Sequence, residues 1–345
     1  MRYGFLTLGD LTAHPTTGEV PTARERLCEI LEAAELTEAL GLDSYTVGEH
    51  HSSRWAVTSP AVVLGAIAVR TERIRLRTGV TLMPNLDPVR VAEDYATVDV
   101  LSGGRLELTI GKGNFPEPWT LFGQDRELQR ERMAEGTDLL LQIWRADPVT
   151  WEGRFRPPLD QASVGPRPIQ APPPVWWGVS TGPESADFAA DRGLPIVVAG
   201  VIKSREHCGE IVDHYRERAT AAGYDAATLQ IASVSHLYIQ EDGDRARREF
   251  EPYYRQALEK GAREAGISSG PFDYQEKLNG PLVCGSPKEV VQKLRSYYDR
   301  YRHDVHLFHA DFGGLPWKET ARTMELFAAE VAPALEAEIG DTDHA

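Results

Sequence analysis

The fold class this sequence predicts is α/β, a TIM-type (β/α)8 barrel with insertions in its βα loops. Three observations predict it. Short apolar runs alternate with longer amphipathic stretches, eight of each, as a closed parallel barrel requires. A length of 345 residues, 41% of them hydrophobic, suits one large barrel domain over residues 1–345. The rival open doubly wound sheet lacks its GxGxxG fingerprint after the first strand.

The elements follow in order. Tyr3–Leu8 is the first strand. Thr22–Leu40 is a helix, with Leu27, Ile30, Leu31, Ala34 and Leu36 near the helical period and Gly41 ending it. Ser44–Val47 is the second strand. Ser59 as N-cap and Pro60 at the first helical position open a helix to Val69. Ile74–Leu82 is the third strand, Pro88–Leu101 a helix, Arg105–Ile110 the fourth strand and Glu127–Trp144 a helix.

Arg145–Pro174 breaks the rhythm with RFRPPLD and GPRPIQAPPP. Consecutive prolines cannot supply ladder donors, so this reads as an excursion or hairpin. Val175–Val179 resumes as the fifth strand, with a helix from Glu184. Then come a strand at Pro195–Ala199, a helix at Ser204–Ala222, the seventh strand at Leu229–Tyr238 and a long helix at Asp244–Ala265. A loop, ISSGPFDY, precedes the helix Pro287–Tyr301. Val305–His309 is the eighth strand and Trp317–Glu338 closes the chain.

Composition excludes several classes. Lys and Arg number 37 against 52 Asp and Glu, a net charge of −15. Such acidity repels phosphate backbones and disfavours nucleic acid as a partner. Cys28, Cys208 and Cys284 are far apart and lack CxxC spacing, which argues against a disulfide framework or structural zinc and fits a reducing compartment. MRYGFLTLGD does not have the pattern of a signal peptide. No uncharged run approaches the roughly 18 apolar residues of a membrane span. The expectation is a cytoplasmic protein without a membrane partner.

In such a barrel the chemistry sits where strands end and βα loops begin. The second strand ends in Glu49-His50-His51. This reads as a catalytic histidine oriented by a neighbour, or as a structurally satisfied one. A metal site is disfavoured: adjacent residues of a strand face opposite ways, and His236, His306 and His309 show no ligand spacing. After the fourth strand comes Gly111-Lys112-Gly113-Asn114. Small residues there let a planar ring lie against the backbone, and the lysine can meet an anion, although a surface lysine reads the same way.

The fifth strand runs into Gly178-Val179-Ser180-Thr181-Gly182-Pro183-Glu184-Ser185. Hydroxyls, a glycine and a fresh helix N-terminus make an anion site, unless Ser180 or Thr181 is only a cap. Arg130 and Arg132 open the next helix upstream, where one of them can clamp a phosphate. Trp176-Trp177 reads as core packing.

Together these segments resemble the luciferase-like flavin monooxygenases. The resemblance rests on GLDSYTVGEHH, LMPNLDPVRVAEDYATVDVLSGGRLELTIGKG, GVSTGPESADFAADRGLPIVV, CGSPKEVVQKL and LFAAEVAPALEAE, and spans residues 3 to 336. EHH is more similar to the FMN branch than to the deazaflavin branch. The resemblance implies His50 as the catalytic histidine with His51 beside it, and a non-proline cis bond between Gly79 and Val80 beneath the flavin ring. It implies a flavin site from Gly79, Val80, Lys112, Gly113, Asn114, Arg130, Val179, Ser180, Thr181 and Gly182, with Arg132 the alternative to Arg130. Gly111 replaces a cysteine and Gly200 a tryptophan of luciferase, which argues against light emission.

The implied activity is oxygenation of a small organic substrate with dioxygen and reduced FMN, the latter from a separate reductase. Loops Asn114–Gln124 and Gly266–Pro281 would cover the site. The implied assembly is a homodimer through Ala61–Val69 and Val89–Val100. Three alternatives remain: hydride transfer with a deazaflavin coenzyme, a non-catalytic flavin-binding partner subunit, and a metal-dependent barrel hydrolase.

Overall fold

A computed structural model of the chain describes residues 1–179, 181–201, 203–264 and 272–343. Eight parallel strands close on themselves. They are β1 (Arg2–Thr7), β2 (Ser44–Val47), β3 (Arg75–Thr78), β4 (Leu106–Ile110), β7 (Val175–Val179), β8 (Ile196–Val198), β9 (Ile231–Ile239) and β11 (Val305–His309). Between β4 and β7 lies an antiparallel hairpin, β5 (Val149–Trp151) with β6 (Leu159–Ala162), the expected excursion. Closure is set by β1 pairing β11 from Arg2↔Val305 to Leu6↔His309, and by β8 pairing β9 from Ile196↔Ile231.

The helices are α1 (Ala23–Ala39), α2 (Pro60–Ala68), α3 (Pro88–Ser102), α4 (Glu117–Leu121), α5 (Gln129–Arg145), α6 (Asp187–Ala190), α7 (Arg205–Ala221), α8 (Gly243–Glu264), α9 (Tyr274–Asn279), α10 (Pro287–Tyr301), α11 (Trp317–Leu326) and α12 (Ala332–Asp343). Local chemistry starts them. Thr22 caps α1 in a capping box, its hydroxyl accepting the Glu25 N–H at 3.2 Å while Glu25 accepts the Thr22 N–H at 2.8 Å. Asp87 caps α3, and Gly103 ends it at φ 70°.

Several expected boundaries move. Ser59 sits at the N-cap of α2 but makes no side-chain cap bond, leaving Pro60 to set the start. The third strand stops at Thr78 rather than Leu82. The Gly79-Val80 peptide is cis, and Thr81 rejoins the sheet only by a bridge to Ile110. The fifth strand leads into a 3-10 turn, Pro183–Ala186, and the four-residue α6, rather than one long helix. The closing helix is interrupted by a π segment at Phe327–Val331. The short strand β10 (Val283–Gly285), which extends β9 beyond the barrel, and α4 and α9 had no counterpart in the apolar rhythm. The expected end of the long helix at Ala265 lies outside the described residues.

Inside the barrel, Leu6, Trp176, Val197, Ala232, Val234, Val305 and Leu307 pack together. The larger apolar layer lies between sheet and helices. At the N-terminal end of the barrel, the register partners Arg77 and Glu107 form a buried ion pair, with Arg77 4.3 Å above the Trp176 ring. The opposite, C-terminal end stays open. Among the described residues, no helix is long and apolar enough to cross a membrane.

Candidate active site

A cavity of about 990 Å³ occupies that open end, lined by residues that follow each of the eight strands. The second strand delivers Glu49, His50 and His51 to different places. Glu49 is buried; Oε2 accepts the Leu82 N–H at 3.0 Å and Oε1 lies 2.9 Å from His51 Nε2. His51 is therefore held outside the cavity, edge-on to Phe122. Of the expected pair only His50 lines the cavity, because neighbouring side chains point opposite ways.

His50 lines the cavity. Its ring stacks on Trp55 at 4.0 Å and meets Phe115 edge-on at 5.2 Å. Burial, then the nearby His309, His51 and Arg54, push its pKa down to about 3. It is a neutral imidazole at physiological pH.

Gly79 and Val80 line the cavity floor. Gly111 and Gly178 do not leave room for a ring directly. A Cβ at Gly111 would fall 2.5 Å from Val80 Cγ2, and one at Gly178 would fall 3.2 Å from Val80 Cγ1. These glycines admit Val80, and Val80 faces the cavity. Gly113 is a glycine for two reasons, φ 72° and a Cβ position 2.8 Å from Leu82 Cδ2.

Lys112, Gly113, Asn114 and Arg130 line one side. No ion pair or hydrogen bond to either cation occurs among the described residues. Burial, then Arg130 and Arg126, lower the Lys112 pKa. Two unpaired cations close enough to disfavour each other form a natural anion site. Arg132 is excluded from it: Nε donates to the Pro84 carbonyl at 3.1 Å and the guanidinium rests on Phe155.

Val179 and Thr181 line the same cavity, and Ser180 lies outside the described residues. Gly182 does not line it. Its carbonyl accepts Ser185 N–H and Oγ–H, as the start of the 3-10 turn. The expected helix N-terminal anion site is thus replaced by a short turn that also brings Glu184 to the wall. The covering segments are Phe115 before α4 and Phe272 to Lys277 around α9, joined by the end of α8; 266–271 lie outside the described residues. Arg54 donates to Glu117 at 2.6 Å and ties the second βα loop to α4.

Sequence reasoning missed the far wall. His236 within β9, its register partner His309 at the end of β11, and Asp10 after β1 line the cavity with Phe312. Their signal was position on or just after barrel strands, obscured by a search for metal-ligand spacing. His306 is absent from this wall; it bonds His303 and Ser235 beneath the helices. Among the described residues, no group of three or more His, Cys, Asp or Glu side chains is placed to hold a metal ion.

Comparison with known proteins follows from this geometry. The luciferase-like monooxygenase profile matches residues 1–304. The chain belongs to the luciferase-like monooxygenase family. Within it, this member is 25% identical over 343 residues to the oxygenase component of a flavin-dependent trigonelline monooxygenase of Acinetobacter baylyi, covering 94% of each chain. It is 26% identical to an F420-dependent glucose-6-phosphate dehydrogenase of Nakamurella multipartita, over 90% of this chain and 94% of that one. Its fold superposes on the crystal structure of monooxygenase RslO1 from Streptomyces bottropensis with a TM-score of 0.86 at 29% identity, covering 97% and 99% of the two chains.

Proposed function

We propose that this luciferase-like protein is the oxygenase half of a two-component monooxygenase, using reduced FMN from a separate reductase to oxygenate a small organic substrate. The observation that carries the reading is the pair of unpaired cations, Lys112 and Arg130, beside a largely apolar cavity floored by Gly79 and Val80. A flavin phosphate needs such a charge pair, and a planar ring needs such a floor. Thr181 and Val179 complete the phosphate end, with Ser180 the remaining candidate.

When bound, the reduced flavin supplies the electrons that activate dioxygen. The chain's residues bind, orient and shield. Trp55, Phe115 and Phe272 surround the reaction space with apolar surface and keep water from it. His50, neutral and fixed by its stack on Trp55, donates or accepts one hydrogen bond without carrying charge. Lys112 and Arg130 hold the anionic tail, which fixes where the ring lies.

A homodimer through α2 and α3 completes the proposal. Val62 is 72% exposed, and Val69, Val100 and Leu101 are exposed with it. A second copy of the chain covers this apolar surface most economically.

The F420-dependent relative supports a second reading, hydride transfer with that deazaflavin coenzyme. Anaerobic calorimetry with reduced FMN and with reduced F420 separates the two. Heat with FMN and turnover only in the presence of dioxygen is expected; binding of F420 alone overturns the FMN reading, and binding of neither overturns both.

A further inference from the structure

The wall away from the Lys112 and Arg130 cations carries polar groups with nothing to bond. His236 and His309 are 4% and 2% exposed, and both line the cavity. His236 Nδ1 and Asp10 Oδ1 have no hydrogen-bond partner among the described residues. Leaving buried polar atoms unpaired is unfavourable, by about 1–3 kcal/mol each. A site built this way is completed by a ligand.

His309 is the organised member of this group. Asp311 Oδ1 lies 3.1 Å from His309 Nε2 as an ion-pair contact, and neither atom has a hydrogen-bond partner among the described residues. Asp311 is fixed from its other oxygen, which accepts Thr7 Oγ1–H at 2.6 Å and a charged hydrogen bond from Arg26. Burial works against ionisation of Asp311. The Arg26 guanidinium outweighs it, helped by His309 and Thr7, and holds the carboxyl well below the usual carboxylate range. A carboxylate at Nε2 selects the Nε2–H tautomer. Nδ1, which has no hydrogen bond to the described residues, is then the nitrogen left for the cavity that His309 lines, as a lone pair.

The groups facing His309 are few. Asp311 and Arg26 stand behind it. Asp10 approaches from the loop after β1, 3.9 Å from Arg26. His236 comes from β9, its ring centroid 5.3 Å away, and His50 from the loop after β2. Burial, then His309, keeps His236 uncharged at physiological pH. The wall therefore offers an acceptor beside a carboxylate, inside a cavity that also presents the aromatic surfaces of Trp55, Phe115, Phe272 and Phe312.

We infer that His309, positioned by Asp311, is the base that binds and deprotonates the hydroxyl of an aromatic substrate of the phenol class. The substrate O–H bond breaks and an N–H bond forms at His309 Nδ1. The electron pair stays on the substrate oxygen, where it enriches the ring that is to be oxygenated. Asp311, 3.1 Å from Nε2, stabilises the positive charge of the imidazolium. Phe312, at 5.2 Å from His309 and 4.0 Å from His236, presents a flat surface to a substrate ring. This inference names the substrate class of the proposed oxygenase and rests on that reading.

The test uses 4-nitrophenol, whose phenolate absorbs visibly, and 4-nitroanisole, which has no proton to give. The cofactor-free protein should bind 4-nitrophenol about tenfold more tightly, the effect of one buried hydrogen bond. Bound 4-nitrophenol should show its phenolate band at a pH about one unit below its own pKa. His309→Gln, which keeps polarity and loses the base, should lose the band. Asp311→Asn should bind the probe and show the band only at higher pH, a change that a purely structural role would not produce. Equal affinity for both probes in the wild type overturns the inference, as does a band that survives His309→Gln. If Asp311→Asn fails to fold, the wild-type and His309→Gln measurements decide alone. Reduced FMN is titrated into the same preparations. Normal flavin binding without the phenolate band sinks this inference only. The band without flavin binding sinks the cofactor reading only.

Discussion

The imidazole of His50 lies against the indole of Trp55, centroids 4.0 Å apart and planes 17° from parallel. This stack and the surrounding burial define what His50 can do. A histidine whose pKa is depressed to about 3 is a neutral imidazole with a single N–H above that pH. His50 should therefore show no titration between pH 5 and 8 in a histidine-detected NMR experiment. Any inflection in the activity profile over that range would belong to another group. A His50 resonance titrating near its ordinary 6.5 would remove the stacked, buried description of the site.

Lys112 and Arg130 should dominate cofactor affinity. Each loses a charge-assisted hydrogen bond of about 1.5–3 kcal/mol when truncated. Arg130→Ala and Lys112→Met should weaken reduced FMN binding by about 10- to 100-fold in anaerobic calorimetry. Arg132→Ala should change it little, because that guanidinium is committed to the Pro84 carbonyl and the Phe155 face. The reverse ranking would move the phosphate to the smaller pocket beside Arg132.

Periodicity revealed the barrel because short strands alternate with amphipathic helices; Ser44–Val47, Pro287–Tyr301 and Val305–His309 fall where the pattern puts them. It misplaced the end of the third strand, since the chain turns at Gly79 while the residues stay apolar through Leu82. The helix expected from Glu184 divides instead into a 3-10 turn, Pro183–Ala186, and a single α-turn, Asp187–Ala190. The site was legible where one segment carries several parts, as in Glu49-His50 and Lys112-Gly113-Asn114. It was illegible where the parts are far apart in sequence. Asp10 lies more than two hundred residues from His236 and His309, and the three meet only because β1, β9 and β11 are neighbours.

Acid should destabilise the fold before the carboxylates protonate. Burial holds His303 down to about 3 and His306 well below its ordinary value; the neutral rings bond each other at 2.8 Å and Ser235 at 3.0 Å. Both pKa values are lower in the folded state than the unfolded 6.5, so the unfolded chain binds more protons as pH falls. Stability is fully present above about 6.5 and is lost as pH drops toward 3. Each such histidine removes about 1.4 kcal/mol between pH 7.5 and 5.5. Urea unfolding at the two pH values should show a lower midpoint at 5.5, and His303→Gln should flatten the difference. An unchanged midpoint would mean that these rings charge without penalty.

Val62, Val69, Val100 and Leu101 should become buried when two copies meet. They leave exposed apolar surface on adjoining α2 and α3, where Gly65 lets Leu101 approach to 3.9 Å of its Cβ position. Light scattering of the wild type should give twice the 38.3 kDa chain mass. Val62→Asp with Leu101→Asp should shift it to the monomer while leaving the helical circular dichroism intact, since neither side chain is in the core. A wild-type protein that stays monomeric at micromolar concentration would leave this surface to a different partner.

Arg77 and Glu107 supply the last test, at the end of the barrel away from the cavity. The two residues face each other across β3 and β4, and Arg77 also lies over Trp176. Arg77→Met strands a buried carboxylate, which among the described residues is otherwise approached by Arg2 and Arg75, at 3.7 and 3.9 Å. Breaking such a pair from one side costs about 3–5 kcal/mol. Replacing both members, Arg77→Met with Glu107→Leu, removes the stranded charge and should recover most of that loss in denaturant unfolding. FMN binding should be unaffected in the double variant, because neither Arg77 nor Glu107 lines the cavity. A double variant less stable than the single one would show that the ion pair itself, rather than relief of an isolated charge, holds the barrel floor together.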